Sequence, residues 1–238
     1  MVATEAVDRI ESARRRRVDR LKAILWRVGA STTRAEWAFL AFAAAVFVFH
    51  PLATLGRYVD LVTPFAVVGA AAIVLRALGA KTSAVALALA AGVAYVDGHG
   101  IHLASDAIHS ENPVGEALRV ADFWDEHFSH IERHLGWIGL LAAFCFAEAA
   151  HPRRPAALGP AAFVAAAMLG VTLFTSTVEG GTWWLALAGA VAFTAWALHQ
   201  RRPLVSTCAA AFLLASLLIA VWAIWQGGVP QFSKVGFL

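Results

Sequence analysis

Two short stretches of the chain concentrate the residues that are able to hold a metal ion. HGIHLASDAIH spans 99–109 and HFSHIERH spans 127–134, and together they contain six of the nine histidines. Within each stretch the polar residues recur at intervals of three or four, which places them on one face of an α-helix. The candidate ligands on these two faces are His99, His102, Asp106, His109, His127, His130 and His134.

The segment between the two stretches allows their helical faces to meet. An asparagine, a proline and a glycine within 112–115 predict a turn, so that two antiparallel helices form a hairpin over 97–134. Neutral imidazole is the commonest metal ligand, and facing helices hold metal ions in helix bundles. We therefore predict a centre of one or two ions, with Asp106 placed to bridge them. The expected pairs across the hairpin are His99 with His134, His102 with His130, and His109 with His127.

Acidic residues complete the predicted site. Glu179 ends a later apolar segment on the same side and is a further candidate ligand. Glu126 and Glu132 are the predicted catalytic acids, which would shuttle protons next to the ligands. Zinc and iron are the expected metals for so many imidazoles, ahead of copper. A haem with two axial histidines and a pH-sensing polar surface are the alternatives for the same residues.

The composition indicates that these histidines belong to a membrane protein. Of the 238 residues, 60% are hydrophobic and 15% are charged, whereas an average soluble domain has about 25% charged residues. The mean hydropathy is +0.67. A membrane-spanning helix needs about 20 mostly apolar residues. Seven segments meet this need, at 35–54, 60–78, 83–103, 134–150, 157–178, 182–199 and 204–226.

The basic residues predict the orientation of these seven segments. With the N-terminus inside, all but four of the 19 lysines and arginines lie on the inner side, and this asymmetry is what sets topology. The predicted fold class is therefore an all-α integral membrane protein with seven transmembrane helices, its N-terminus inside and its C-terminus outside. We expect a multi-pass protein of a cell membrane, the bacterial inner membrane, with a cytoplasmic N-terminus.

A basic cytoplasmic segment at 1–34 precedes the single membrane domain at 35–238. The apolar residues of 4–27 fall near one helical face beside four consecutive arginines, which predicts an amphipathic helix on the anionic inner leaflet. A solvated basic arm that only fixes the topology fits the same pattern. Since no aromatic residues lie among the four consecutive arginines, the segment does not indicate nucleic-acid binding.

The metal centre and the membrane together predict a metal-dependent membrane enzyme. With the histidines at the outer face, where water is available, hydrolysis of a lipid or another amphiphile is the favoured reaction. A di-iron or copper oxidoreductase of the hydroxylase, oxygenase or desaturase type, acting on an apolar small molecule, is the second hypothesis. A metal or haem carrier or assembly factor is the third. Small residues at Ala84, Ala88 and Gly92 allow close helix contacts, either within one chain or between two.

Overall fold

The computed structural model describes residues 34–52, 57–111, 114–151 and 159–237. This part of the chain is helical and has no β-strand. The predicted amphipathic helix at 4–27 lies outside the described residues. The long helices, in chain order, are α1 (Arg34–Leu52), α2 (Arg57–Ala77), α3 (Thr82–Glu111), α5 (His130–Ala149), α6 (Pro160–Glu179), α7 (Trp183–Gln200) and α8 (Pro203–Gln226).

Two short helical elements and a C-terminal turn complete the fold. Helix α4 (Glu116–Trp124) and a π-helical turn (Asp125–Ser129) lie between α3 and α5, and a 3₁₀ turn (Ser233–Val235) follows α8. Proline occupies the first position of α6 and of α8, where its missing N–H costs no hydrogen bond.

Four of the helices in the described residues are long and apolar enough to cross a membrane. They are α2 over Tyr58–Ala77, α3, α6 and α8. Helices α1, α5 and α7 coincide with the other three predicted segments, and they have 19, 20 and 18 residues. The described part of the chain is therefore all-helical, with four candidate membrane spans. Each of the seven predicted segments corresponds to a long helix.

Helices α3 and α5 pack against each other most closely, and two glycines allow it. A Cβ atom at Gly98 would lie 2.6 Å from the backbone nitrogen of Arg133 and 2.7 Å from the backbone oxygen of Ser129. On the other helix, a Cβ atom at Gly136 would lie 2.6 Å from the backbone oxygen of Ala91. Real side chains do not come this close to backbone, so the two helices approach at glycine. This contact fixes the relative positions of the histidines on α3 and α5.

The two ends of the α3–α5 pair differ in chemistry. One end, called here the histidine end, carries the C-terminal part of α3 and the N-terminal part of α5. At the other end, called here the Arg202 end, the guanidinium of Arg202 donates hydrogen bonds to the backbone oxygens of Glu148, Ala149 and His151 at 2.8–3.1 Å. The Glu148 carboxylate in turn accepts from the backbone N–H of Leu204. These contacts supply hydrogen-bond partners to backbone oxygens at the end of α5 and to a backbone N–H at the start of α8.

Between the two ends the interior is apolar. Phe39 and Phe42 on α1 pack edge-on against Phe144 on α5, with ring centroids 6.1 and 5.1 Å apart. All three side chains are fully buried. Farther along, Cys145 and Cys208 are buried and free, with their sulfur atoms 3.8 Å apart.

Candidate metal centre

Three side chains at the histidine end bring metal-binding atoms together. His102 on α3, Asp125 in the π-helical turn and His130 on α5 each offer one donor atom, and all three atoms lie within 4.8 Å of one another. Asp125 Oδ1 is 2.8 Å from His102 Nδ1 and 3.7 Å from His130 Nε2. The two imidazole rings lie 5.2 Å apart, so His102 and His130 pair across the hairpin as the spacing predicts.

The π-helical turn brings Asp125 to this cluster. A π-turn bonds each residue to the one five positions on, and it adds one residue to the path of an α-helix. The extra residue rotates the helix on its N-terminal side by about 100° relative to the helix on its C-terminal side. Asp125 and His130 are five residues apart, a spacing that would separate them on a regular α-helix. Single π-turns of this kind are frequent at functional sites.

Hydrogen bonds hold Asp125 in place. His102 Nδ1 donates to the carboxylate, and the buried Ser129 hydroxyl lies 2.6 Å from the same oxygen. Partial burial by itself favours the neutral carboxyl, but the hydrogen bonds from His102 and Ser129 and the nearby imidazoles outweigh it. The pKa of Asp125 therefore lies below its ordinary value, and the group is an anion at neutral pH.

Arg133 occupies the other side of His130. Its guanidinium donates to His130 Nδ1 at 3.1 Å. Because Nδ1 accepts this hydrogen bond, the proton of the neutral His130 ring is on Nε2, the nitrogen that faces Asp125. A metal ion at Nε2 would move that proton to Nδ1, so the metal and the bond from Arg133 exclude each other.

His99 forms a separate pair with a carboxylate from another helix. Its Nε2 lies 3.0 Å from Oδ1 of Asp60 and 2.9 Å from the backbone oxygen of Asp60, near the start of α2. The ring is 3% exposed and lies 6.4 Å from that of His102. His99 is thus next to the cluster of three donors but outside it, and it does not contact His134 in the described structure.

His134 is enclosed by hydroxyl groups. Its Nε2 lies 2.7 Å from the Ser176 hydroxyl of α6, and its Nδ1 lies 2.7 Å from the Thr182 hydroxyl. The side chain is 1% exposed. Since both ring nitrogens already have partners, His134 joins α5 to α6 and the start of α7 without a free donor atom.

His109 and His127 do not meet each other. His109 Nδ1 lies 3.1 Å from Oδ1 of Asp122 on α4, and both side chains are half exposed. His127 is exposed and stacks on the Phe123 ring at 5.2 Å. His127 is part of the π-helical turn that precedes α5, and this turn removes it from the face that carries His130 and His134.

The predicted acids have different surroundings. Asp106 is exposed, with Oδ2 3.8 Å from His102 Nε2. The Glu179 carboxylate accepts from the backbone N–H of Ser233, and the Glu126 carboxylate accepts from the Gln231 amide, both at 3.2 Å. These two bonds attach the C-terminal segment to the histidine end. Glu132 lies near the start of α5, seven residues after Asp125.

A cavity of about 630 Å³ opens beside the donor cluster. Its polar walls include His102, His130, Asp106 and Arg133. Glu126 and Glu132 are not among the described residues that line it. Apolar side chains from four other parts of the fold cover much of the remaining wall, among them Val46, Phe47, Val67, Val171, Phe174 and Phe232.

Asp125 was not among the ligands predicted from the sequence. The signal was weak, because a spacing of five residues becomes a shared face only when the helix contains a π-turn. The roles of Asp60 and Arg133 also became visible only in the folded structure, where Asp60 contacts His99 from another helix and Arg133 contacts His130.

In a comparison with known proteins, no family model, no curated protein and no solved structure matches the chain.

Proposed function

We propose that this protein is a seven-helix integral membrane hydrolase, with one divalent metal ion held by His102, Asp125 and His130. The observation that carries the proposal is the cluster of these three donors beside a cavity with apolar side chains, whose wall includes His102 and His130. Its substrate is an amphiphile, a lipid or a similar molecule, with an ester or amide bond at the metal.

The spacing of the donors fits a metal ion. Two ligand atoms about 2.1 Å from a tetrahedral zinc ion lie about 3.4 Å apart. The observed distances of 2.8 and 3.7 Å lie on either side of this value. Two histidines and one carboxylate leave a fourth position open for water, as catalytic zinc sites do. A metal at His102 Nδ1 would move the proton that this nitrogen donates to Asp125 onto Nε2 of the same ring.

The cavity supports an amphiphilic substrate. The histidine end of its wall is polar, and the wall beyond it carries valine and phenylalanine side chains from α1, α2 and α6. An alkyl chain gains free energy on entering such a space, while a polar group remains near the histidines.

The proposed reaction uses a metal ion, the Arg133 guanidinium and the Asp106 carboxylate. His102, Asp125 and His130 would hold a metal that supplies the nucleophile for the scissile carbonyl carbon, because a bound metal would lower the pKa of its water. The Arg133 guanidinium, released from His130 when the metal is bound, stabilises the negative charge that develops on the carbonyl oxygen. The carbon–oxygen or carbon–nitrogen bond then breaks, and Asp106 transfers the proton from the attacking water to the leaving group. Asp106 takes the role predicted for Glu126 and Glu132, because it lines the cavity.

An oxidoreductase is the second candidate, since the donor set itself favours it. Two histidines and one carboxylate also form the facial triad of non-haem iron(II) oxygenases. The distinction therefore rests on the metal that the protein binds.

Metal analysis of the purified protein tests both candidates. We expect about one zinc per chain, lost in His102→Ala and in His130→Ala and retained in the control His109→Ala. One iron per chain with a visible absorption band would support the oxidoreductase instead. Protein that binds no metal, with His102→Ala still active in cells, would contradict the proposed function.

The proposed topology has the N-terminus in the cytoplasm of a bacterium and the histidine end at the outer face of the inner membrane. In this orientation all but four of the basic residues lie on the cytoplasmic side, and this asymmetry supports the proposal. A membrane-impermeant maleimide should label Asn112→Cys in intact cells, against a low background because both native cysteines are buried. Labelling only after the cells are broken would reverse the orientation.

A further inference from the structure

Two residues that line the cavity, His99 and Trp137, each have a buried side-chain nitrogen atom without a hydrogen-bond partner within the described chain. The two atoms are His99 Nδ1 and Trp137 Nε1. Each side chain is 3% exposed, and both residues line the 630 Å³ cavity. Buried polar atoms in folded proteins are nearly always paired. Two orphaned atoms on one cavity therefore point to a ligand that pairs with them.

The partners of His99 define what its free nitrogen needs. Its Nε2 faces only acceptors, the carboxylate and the backbone oxygen of Asp60. The proton of the neutral ring is therefore on Nε2, and Nδ1 presents a lone pair. This arrangement makes Nδ1 a hydrogen-bond acceptor that requires a donor from the ligand.

Trp137 has the opposite need. The indole Nε1–H is a donor and never an acceptor. Trp137 follows Arg133 by one helical turn on α5, so its indole lies farther from the histidine end than the guanidinium does. The cavity wall thus offers one acceptor and one donor, neither of which carries a net charge.

A second metal ion is the competing occupant at His99. An indole N–H does not ligate a metal, so an ion would leave Trp137 unpaired. Within the described residues, the group of three close donors contains His102, Asp125 and His130 but not His99. A hydrogen-bonding ligand accounts for both orphaned atoms, whereas a second ion accounts for one.

We propose that the cavity binds an uncharged amphiphile whose polar group combines an N–H or O–H donor with an oxygen acceptor, as a fatty amide does. Its donor pairs with His99 Nδ1, its oxygen accepts from Trp137 Nε1–H, and its alkyl chain lies along the apolar wall. This inference rests on the proposed function in that it takes the cavity as the substrate site, and it narrows the substrate to amphiphiles that carry such a group in addition to the bond cleaved at the metal.

Binding of matched probes to the chelator-treated protein in lipid nanodiscs tests the pairing without any reaction. Hexadecanamide offers both groups, whereas N,N-dimethylhexadecanamide and methyl hexadecanoate offer the acceptor alone. Each neutral hydrogen bond to a buried group changes affinity by about tenfold. We therefore expect hexadecanamide to bind about tenfold more tightly than either of the other two.

Two variants assign the contacts. Trp137→Phe should weaken all three probes by about the same factor, because each has the oxygen that the indole contacts. His99→Phe should weaken hexadecanamide alone and bring it to the level of the dimethyl amide, while His99→Gln, which keeps an acceptor, should retain part of the preference. Trp196→Phe is the matched control, since Trp196 packs against Phe146 and Phe193 away from the cavity.

Equal binding of the three probes to the unaltered protein would overturn the inference, whether or not the variants fold. A second equivalent of metal that His99→Phe removes would also overturn it, in favour of an ion at His99. Failure of the proposed hydrolase is a separate result, because it appears as absent metal or absent turnover while the probe preference in chelator-treated protein remains.

Discussion

At the Arg202 end of α5, the guanidinium of Arg202 donates to three backbone oxygens, and the Glu148 carboxylate accepts from the start of α8. At the histidine end of the same helix, His130 and Arg133 reach the wall of a cavity together with His102, and Asp125 lies beside His102 and His130. Both ends bury charged or polar side chains. One set closes helix termini, and the other surrounds a space large enough for a ligand.

The two ends of α5 therefore show two uses of buried polar side chains: some stabilise the fold, and others are available to bind a ligand. A buried charge that satisfies backbone groups has most of its partners supplied by the fold, although Arg202 Nε has none within the described chain, and it changes little when a ligand binds. Polar groups that converge on a cavity keep part of their bonding capacity for something else. The same test distinguishes the histidines, since His134 is enclosed between two hydroxyls while His102 and His130 face the cavity.

The largest loss of stability is expected at Gly136, where α3 and α5 are in close contact. Gly136→Ala places a Cβ atom 2.6 Å from the Ala91 backbone oxygen. The helices must separate, and we expect a loss of about 3 kcal/mol in the free energy of unfolding together with weaker metal binding. Chemical unfolding in detergent and metal titration measure the two effects.

Gly100→Ala is the control for this change, because no atom lies within 4 Å of the position where its Cβ atom would be. An alanine inside α3 should stabilise the helix by up to about 1 kcal/mol. Equal stability of Gly136→Ala and Gly100→Ala would show that the close approach of the helices is unimportant.

The Arg202 end should affect stability without affecting the site. Arg202→Met leaves three backbone oxygens near the end of α5 without their donor, and we expect a loss of roughly 2–3 kcal/mol in the free energy of unfolding. The protein that remains folded should bind metal with unchanged affinity. The neighbouring Arg201, which is exposed, provides the control Arg201→Met. A loss of metal binding in folded Arg202→Met would mean that the two ends are coupled.

The histidine end should behave in the opposite way. Asp125→Asn keeps the shape of the side chain but removes the charge next to the metal, and we expect metal affinity to fall by about 10–100-fold. The unfolding midpoint of the metal-free protein should change little. Asp122→Asn, which alters the exposed pair with His109, should leave metal affinity unchanged. An equal loss in both variants would indicate a general effect of surface charge.

The hydrophobic segments predicted the helices well because each is a long, continuous signal. The segment at 182–199 corresponds to α7 at Trp183–Gln200, and the turn expected within 112–115 falls between α3 and α4. The pairing of His102 with His130 also followed from spacing, since both lie on helices whose register the turn sets.

The remaining parts of the site depend on three-dimensional contacts that the spacing of residues along the sequence does not predict. A π-turn has no distinctive residue pattern, so neither the approach of Asp125 nor the separation of His127 was predictable from intervals of three and four. The environments of His99 and His134 are set by side chains from α2, α6 and the start of α7, which are distant in the sequence. The number of histidines indicated the site, but only tertiary contacts distinguish a free imidazole from an enclosed one.

The smallest predicted effect tests whether Arg133 belongs to the functional set. Its guanidinium donates to His130 Nδ1 and lies close to the metal position, so it opposes metal binding by occupying the ring and by its positive charge. Arg133→Met should therefore raise metal affinity by about fivefold and still lower the rate of hydrolysis, because the developing oxyanion loses its cation. Arg119→Met is the control, since Arg119 is exposed and pairs with Glu116 on α4. A fall in metal affinity in Arg133→Met would mean that Arg133 supports His130 as Arg202 supports the end of α5, and the contrast between the two ends would disappear.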